Sequence, residues 1–259
     1  MSKIVFFDID GTLLNDEKEI CETTKIAIQK LKENDVHVAI ATGRAPFMIK
    51  PLLDELGIDT YVTYNGQYVV HNGKAVFRNP IKKELLQKLE EEAAKNAHPM
   101  VFMDHLDMKA NIELHDHIND SFASLKMNAP SFDEKYYHDR DIYQALLFFD
   151  RKEDEKFRYR DDFNECHFIR WHDYSVDILP AGGSKAKGIE KLLEVLEIDK
   201  ENAYAFGDAT NDLEMIAFVG TGVAMGNAMP EVKKIANYVT KSNNDKGIYH
   251  GVKELGLID

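Results

Sequence analysis

Lys3-Ile4-Val5-Phe6-Phe7-Asp8-Ile9-Asp10-Gly11-Thr12 is the stretch around which the rest of the chain can be ordered. Ile4 to Phe7 is a short, unbroken apolar run of β-forming residues, the pattern of a strand buried on both faces of a parallel sheet. Asp8 and Asp10 stand at its carboxyl end, and Gly11 breaks the strand after them. Ligands of open parallel sheets bind outside the carboxyl ends of the strands. Two acids so close repel unless a cation or a shared proton relieves them. A divalent metal together with a phosphoryl group satisfies that requirement economically.

The 259 residues suffice for one large domain or two moderate ones, and 44% hydrophobic content is ordinary for a soluble globular chain. The 32 Lys and Arg against 45 Asp and Glu leave a net charge of −13, which argues against a nucleic-acid partner. Cys21 and Cys166 lie far apart without metal-ligand spacing and read as free thiols in a reducing compartment. No signal-peptide pattern precedes the first strand, and no apolar run reaches the ~20 residues of a membrane span. The expectation is a cytoplasmic protein with no membrane association and no obligate protein partner.

Outward from the first strand, Asn15 to Asn34 reads as a helix with Ile20, Thr24, Ile28 and Leu31 near helical spacing. Val36 to Ala41 is a second buried strand ending at Thr42-Gly43-Arg44, Ala45 to Leu56 a helix, and Tyr61 to Tyr64 a strand ending at Asn65-Gly66. Asn72-Gly73 is a two-residue hairpin signal. Strands alternating with helices predict a parallel sheet with crossover helices. After Asn79-Pro80 the pattern changes. A helix is expected over Ile81 to Asn96 and strands over Met100 to Met103, Met108 to Ile112 and Ile142 to Phe149. A charged helix is expected over Lys152 to Phe163, and a closing strand pair over Cys166 to Trp171 and Ser175 to Leu179. From Ser184 the α/β alternation resumes. The fold class is therefore α/β, a Rossmann-like parallel-sheet core of residues 1–80 and 183–259 with an inserted α+β cap domain at 81–182.

Four strand or helix ends now carry polar groups: Asp8 and Asp10; Thr42; Lys185; and Asp208, Asn211 and Asp212. In a parallel sheet these ends share an edge. The set resembles the haloacid-dehalogenase-like superfamily, specifically its Cof-type phosphatases with a large α/β cap. The matching stretches are Asp8-Ile9-Asp10-Gly11-Thr12, Ala41-Thr42-Gly43-Arg44, Lys185, and Gly207-Asp208 followed by Asn211-Asp212, in the order of that family. Relatives often have glycine directly after the motif lysine. Here Ala186 intervenes and glycine comes at 188, so Lys187 is a lesser candidate for the same role.

The resemblance implies hydrolysis of small phosphorylated metabolites, such as sugar phosphates, through an aspartyl-phosphate. Asp8 would be the nucleophile and Asp10 the acid and base. Mg²⁺ would be held by Asp8, the backbone carbonyl of Asp10, and Asp208. Thr42, the Gly43 amide, Lys185 and Asn211 would bind the phosphoryl oxygens, and Asp212 would orient Lys185 or metal-bound water. The insert would act as a lid bearing specificity, with His105, Lys109, Arg140, Arg170 and His172 as candidates by chemistry. The Leu114-His115-Asp116-His117 cluster reads as a polar helix face rather than a metal site. A phosphomutase or phosphotransferase using the same intermediate is an alternative, as is a non-catalytic metabolite-binding protein on this scaffold.

Overall fold

The computed structural model describes residues 2–158 and 160–259. They form two units. One comprises the chain up to Arg44, Met48–Arg78 and Ser184–Asp259; the other comprises Ala45–Phe47 and Asn79–Gly183. The elements run β1 (Lys3–Phe7), α1 (Glu22–Glu33), β2 (Val36–Ala41), α2 (Pro46–Leu56), β3 (Tyr61–Thr63), β4 (Tyr68–His71), β5 (Lys74–Arg78), α3 (Lys83–Lys95), β6 (Met100–Met103), β7 (Met108–Ala110), α4 (Asp116–Ser124), β8 (Gln144–Phe148), β9 (Cys166–Arg170), β10 (Ser175–Pro180), α5 (Lys185–Leu196), β11 (Ala203–Gly207), α6 (Leu213–Phe218), β12 (Thr221–Ala224), α7 (Pro230–Ile235), β13 (Tyr238–Val239) and α8 (Gly247–Glu254).

The first unit is built on an eight-stranded sheet of order β13-β12-β11-β1-β2-β3-β4-β5. It is parallel from β13 to β3 and antiparallel at β4 and β5. Ile4, Val5, Phe6 and Phe7 are fully buried, as expected of a strand with neighbours on both sides and helices on both faces. Phe7 is in register with Ile40 on one side and Phe206 on the other. That register puts Asp8, Thr42 and Asp208 just past the same edge. The Asn72-Gly73 hairpin has φ of 48° and 71°, the doubly positive pair of a type I′ turn.

The second unit is a five-stranded antiparallel sheet of order β7-β6-β8-β10-β9, inserted in the chain between β5 and α5. α3 lays Leu85, Leu86, Leu89 and Ala93 into a core with Phe102, Leu147, Phe149, Val176 and Ile178. The separate antiparallel sheet and the mainly parallel one match the expected fold class.

Two expected helices differ. The first starts at Glu22, not Asn15. Residues 15–19 close a tight turn in which Asn15 Oδ1 accepts the Glu19 N–H at 2.8 Å and Lys18 has φ of 66°. An Asn side chain that bonds nearby backbone competes with helix at its own position. The charged stretch from Lys152 to Phe163 is not an α-helix. Two 3₁₀ turns, Arg151–Lys156 and Asp161–Phe163, replace it, and Tyr159 lies outside the described residues. Phe157 and Phe163 are both buried. Six residues apart on an α-helix they would point about 120° apart, so two short 3₁₀ turns bring both into one core more readily than one continuous helix would.

Candidate active site

Asp8 continues β1 by one residue, its N–H donating to the Phe206 carbonyl at 3.0 Å, and its side chain is buried. The chain then turns through Gly11, with φ of 78°. A Cβ on Gly11 would lie 2.3 Å from Asp208 Oδ2, so only glycine lets the loop approach that carboxylate. Thr12 Oγ1 donates to Asp208 Oδ1 at 3.0 Å, tying the first acidic loop to the last one.

Lys185 is the first residue of α5, whose start is capped by the Ser184 hydroxyl accepting from the Lys187 N–H. It is fully buried, with Nζ 2.5 Å from Asp8 Oδ1 and 2.6 Å from Asp212 Oδ1. Lys187 is exposed. Asp212 uses its other oxygen to accept the N–H groups of Asp208 and Ala209, at 2.9 and 3.0 Å. Both of its oxygens are thus committed to holding the lysine and the loop.

Gly66 and Gly188 explain how the lysine gets there. A Cβ on Gly66 would lie 2.0 Å from the Ser184 carbonyl, and one on Gly188 would lie 2.8 Å from Gly66 Cα. The first turn of α5 therefore packs backbone to backbone on the end of β3. Glycine at 188 rather than 186 serves this contact, a feature visible only once the two segments are seen side by side.

Thr42 is buried, and its hydroxyl accepts the Arg44 N–H at 3.2 Å. Arg44 grips Asp10 through Nε to Oδ2 at 2.9 Å and Nη2 to Oδ1 at 2.7 Å, and Lys18 adds a contact at 3.1 Å. Asn211 Nδ2 donates to Asn65 Oδ1 at 3.2 Å. The parts played by Arg44, Asn65 and Lys18 were missed in the sequence, because their contacts cross between segments that no local pattern links.

Burial pushes the Asp8 carboxyl up, to about 7, against the pull of Lys185 and with the Asp212 charge adding to the rise. Burial also opposes the charge on Lys185, but Asp8 and Asp212 outweigh it and hold the ammonium above its usual range. Asp208 is pushed up to about 6, again chiefly by burial, with the Thr12 hydroxyl opposing. Burial would also raise Asp10, but Arg44 and Lys18 prevail and keep it below the ordinary carboxylate range.

Asp8, Asp208 and Asp212 each offer a carboxylate oxygen, all within 4.8 Å of one another. Three acids face one ammonium, so the cluster is short of positive charge. Its donors are all oxygen, the chemistry of a hard divalent cation. Asp8 and Asp208 are each bonded to a side chain through one oxygen only, whereas Asp212 is fully engaged. The residues fit a metal at Asp8 and Asp208, with Asp212 orienting the lysine.

In the inserted unit, Arg170 is buried against Asp154, donating from Nε at 3.0 Å, and lies over the Phe149 ring. It is committed to packing that unit. Arg140 pairs with buried Asp104 at 2.9 Å, Lys109 with Asp107 at 2.5 Å, and His172 Nδ1 meets Ser121 Oγ at 3.1 Å. His115 is the N-cap of α4 rather than part of its face, its Nδ1 accepting the His117 N–H.

Comparison with known proteins shows the family and the fold. A family model described as haloacid dehalogenase-like hydrolase matches residues 5–252. The chain is 46% identical over 257 residues to "Putative phosphatase YkrA" of Bacillus subtilis (strain 168), covering 99% of each. Its fold matches a crystal structure of a hypothetical protein from Geobacillus kaustophilus HTA426 with a TM-score of 0.97 at 53% identity, over 100% of both chains. It also matches the HAD subclass IIB sugar phosphatase BT4131, with a TM-score of 0.80 at 28% identity over 99% of this chain and 100% of that one. The chain belongs to the haloacid dehalogenase-like hydrolases.

Proposed function

We propose that this haloacid dehalogenase-like hydrolase is a Mg²⁺-dependent phosphomonoesterase acting on small phosphorylated metabolites through an aspartyl-phosphate. The observation that carries the reading is the buried Lys185 ammonium shared by Asp8 and Asp212, with Asp208 close enough to complete a cation site. A nucleophilic carboxylate cannot meet a phosphate dianion without such counter-charge.

Asp8 attacks phosphorus in line and carries the phosphoryl group. Lys185 holds Asp8 in place and neutralises charge on the phosphoryl oxygens. Thr42, the Gly43 amide and Asn211 donate hydrogen bonds to the same oxygens. The Asp8 and Asp208 carboxylates and the Asp10 carbonyl would hold Mg²⁺, which would supply the remaining neutralisation. Asp10 gives a proton to the leaving oxygen and takes one from the hydrolytic water. Arg44 and Lys18 favour its carboxylate form, the form the second step requires.

We take residues 1–80 and 183–259 as the catalytic core and 81–182 as a cap that sets specificity. The sugar phosphatase activity named for BT4131 supports sugar phosphates as the first substrates to test. Two unpaired cysteines, Cys21 and Cys166, support a cytoplasmic setting. A panel of sugar phosphates incubated with the protein and Mg²⁺ should release inorganic phosphate without any acceptor, and EDTA should stop the release. Activity that survives metal removal, or that requires an acceptor sugar, would contradict the reading.

A further inference from the structure

We propose that the side-chain amide of Asn65 is a further phosphoryl-binding group, donating from Nδ2 to the oxygens served by Thr42, Gly43 and Asn211; this rests on the phosphatase reading above. The first observation is backbone strain. Tyr64, Asn65 and Gly66 have φ of 53°, 51° and 97°, three consecutive residues in the left-handed region. For a tyrosine this is a genuine outlier. Such conformations persist where the surroundings over-determine them, and they cluster at ligand clamps.

The surroundings do over-determine this turn. The Tyr64 N–H donates to the Arg44 carbonyl at 3.2 Å, and the Asn65 N–H to the Thr42 carbonyl at 3.1 Å. Tyr64 is fully buried, and Gly66 abuts the Ser184 carbonyl. The turn is therefore fastened to the Thr42 loop on one side and to the start of α5 on the other. The backbone alone does not ask for asparagine at 65, because glycine adopts this conformation more readily.

The side chain supplies the second observation. Asn65 lies against Gly43, with Nδ2 and Oδ1 3.0 and 3.1 Å from where a Cβ on Gly43 would sit. Its Oδ1 is taken by Asn211. Its Nδ2 has two hydrogens to give and no protein acceptor among the described residues. An amide donor is thus lodged between two groups assigned to phosphoryl oxygens. A neutral donor suits this place, since it binds a dianion without competing with Lys185 for the carboxylates.

Asn65→Gly keeps the left-handed backbone and removes the side chain, its Nδ2 donor together with the Oδ1 that Asn211 uses. Calorimetric titration of the Mg²⁺-supplemented protein with inorganic phosphate should show binding weakened about tenfold, with Tm little changed. Asn65→Asp, which replaces the donor with a negative charge, should weaken it further. The same Asn65→Gly change in an Asn211→Ala background should still lower phosphate affinity. No further loss there would mean that Asn65 acts only through Asn211 and would overturn the proposal. Unchanged phosphate affinity in Asn65→Gly or Asn65→Asp, in a protein whose wild type binds phosphate and releases it from phosphomonoesters, would overturn it alone. A wild type that does neither would overturn the phosphatase reading and this inference with it.

Discussion

Arg44 holds Asp10 by both carboxylate oxygens, at 2.7 and 2.9 Å, in a fork that lysine cannot reproduce. Asp10 is thereby fixed in orientation, and its carboxylate form is favoured. Removing the guanidinium disfavours the anion, so the Asp10 pKa should rise in Arg44→Ala. The acidic limb of the pH–rate profile should move to higher pH. Arg44→Lys should recover part of the shift and little of the rate. A profile that does not move would separate Asp10 from the proton transfers.

Lys185 is buried between two acids, and its loss leaves Asp8 and Asp212 facing each other without a counter-charge. Breaking a buried ion pair from one side costs about 3–5 kcal/mol. Lys185→Met should therefore lower stability by an amount in that range at neutral pH, measured by denaturant unfolding, and abolish turnover. Lys187→Met, at an exposed position, should do neither.

Asp8 and Asp208 are pushed up to about 7 and about 6 from 3.8. In the metal-free protein the folded state then binds protons that the unfolded chain has released. Stability from these two groups is fully present below the unfolded value of 3.8 and is lost as pH rises through about 6 and about 7. Metal binding has the opposite sense, since it requires both groups ionised. Tm in EDTA should fall between pH 5 and 8 relative to an Asp208→Asn control, and the Tm increment from Mg²⁺ should grow over the same range. A Mg²⁺ increment larger at pH 5 than at pH 8 would contradict the assignment.

Gly188 packs on Gly66 with no room for a methyl group, its Cβ falling 2.5 Å from Val62 Cγ1. Gly188→Ala should shift the start of α5 and cost about 1–3 kcal/mol. Because Lys185 rides on that turn, kcat should drop well beyond what the stability loss alone explains. Ala186→Gly, which adds no atoms, should leave Lys185 in place.

The parts legible in the sequence were those whose signal is local. Ile4 to Phe7 followed by Asp8 and Asp10 announces a buried strand with acids at its end, and parallel pairing brings Thr42 and Asp208 to the same edge. What escaped depends on contacts between distant segments. Nothing near residue 44 says that Arg44 will turn back onto Asp10, and nothing near 188 says that a glycine there faces Gly66. The helix expected from Asn15 failed because one amide found a turn partner at Glu19. The charged helix after Lys152 failed because Phe157 and Phe163 had to enter one core.

The central claim is that Asp8 is the nucleophile, and Asp8→Asn tests it most directly. The variant keeps the shape of the side chain and removes the attacking oxygen anion. With saturating Mg²⁺ and p-nitrophenyl phosphate, wild type should turn over steadily while Asp8→Asn, folded by circular dichroism, should release no p-nitrophenol above background. Turnover by Asp8→Asn at a rate near that of wild type would contradict the account.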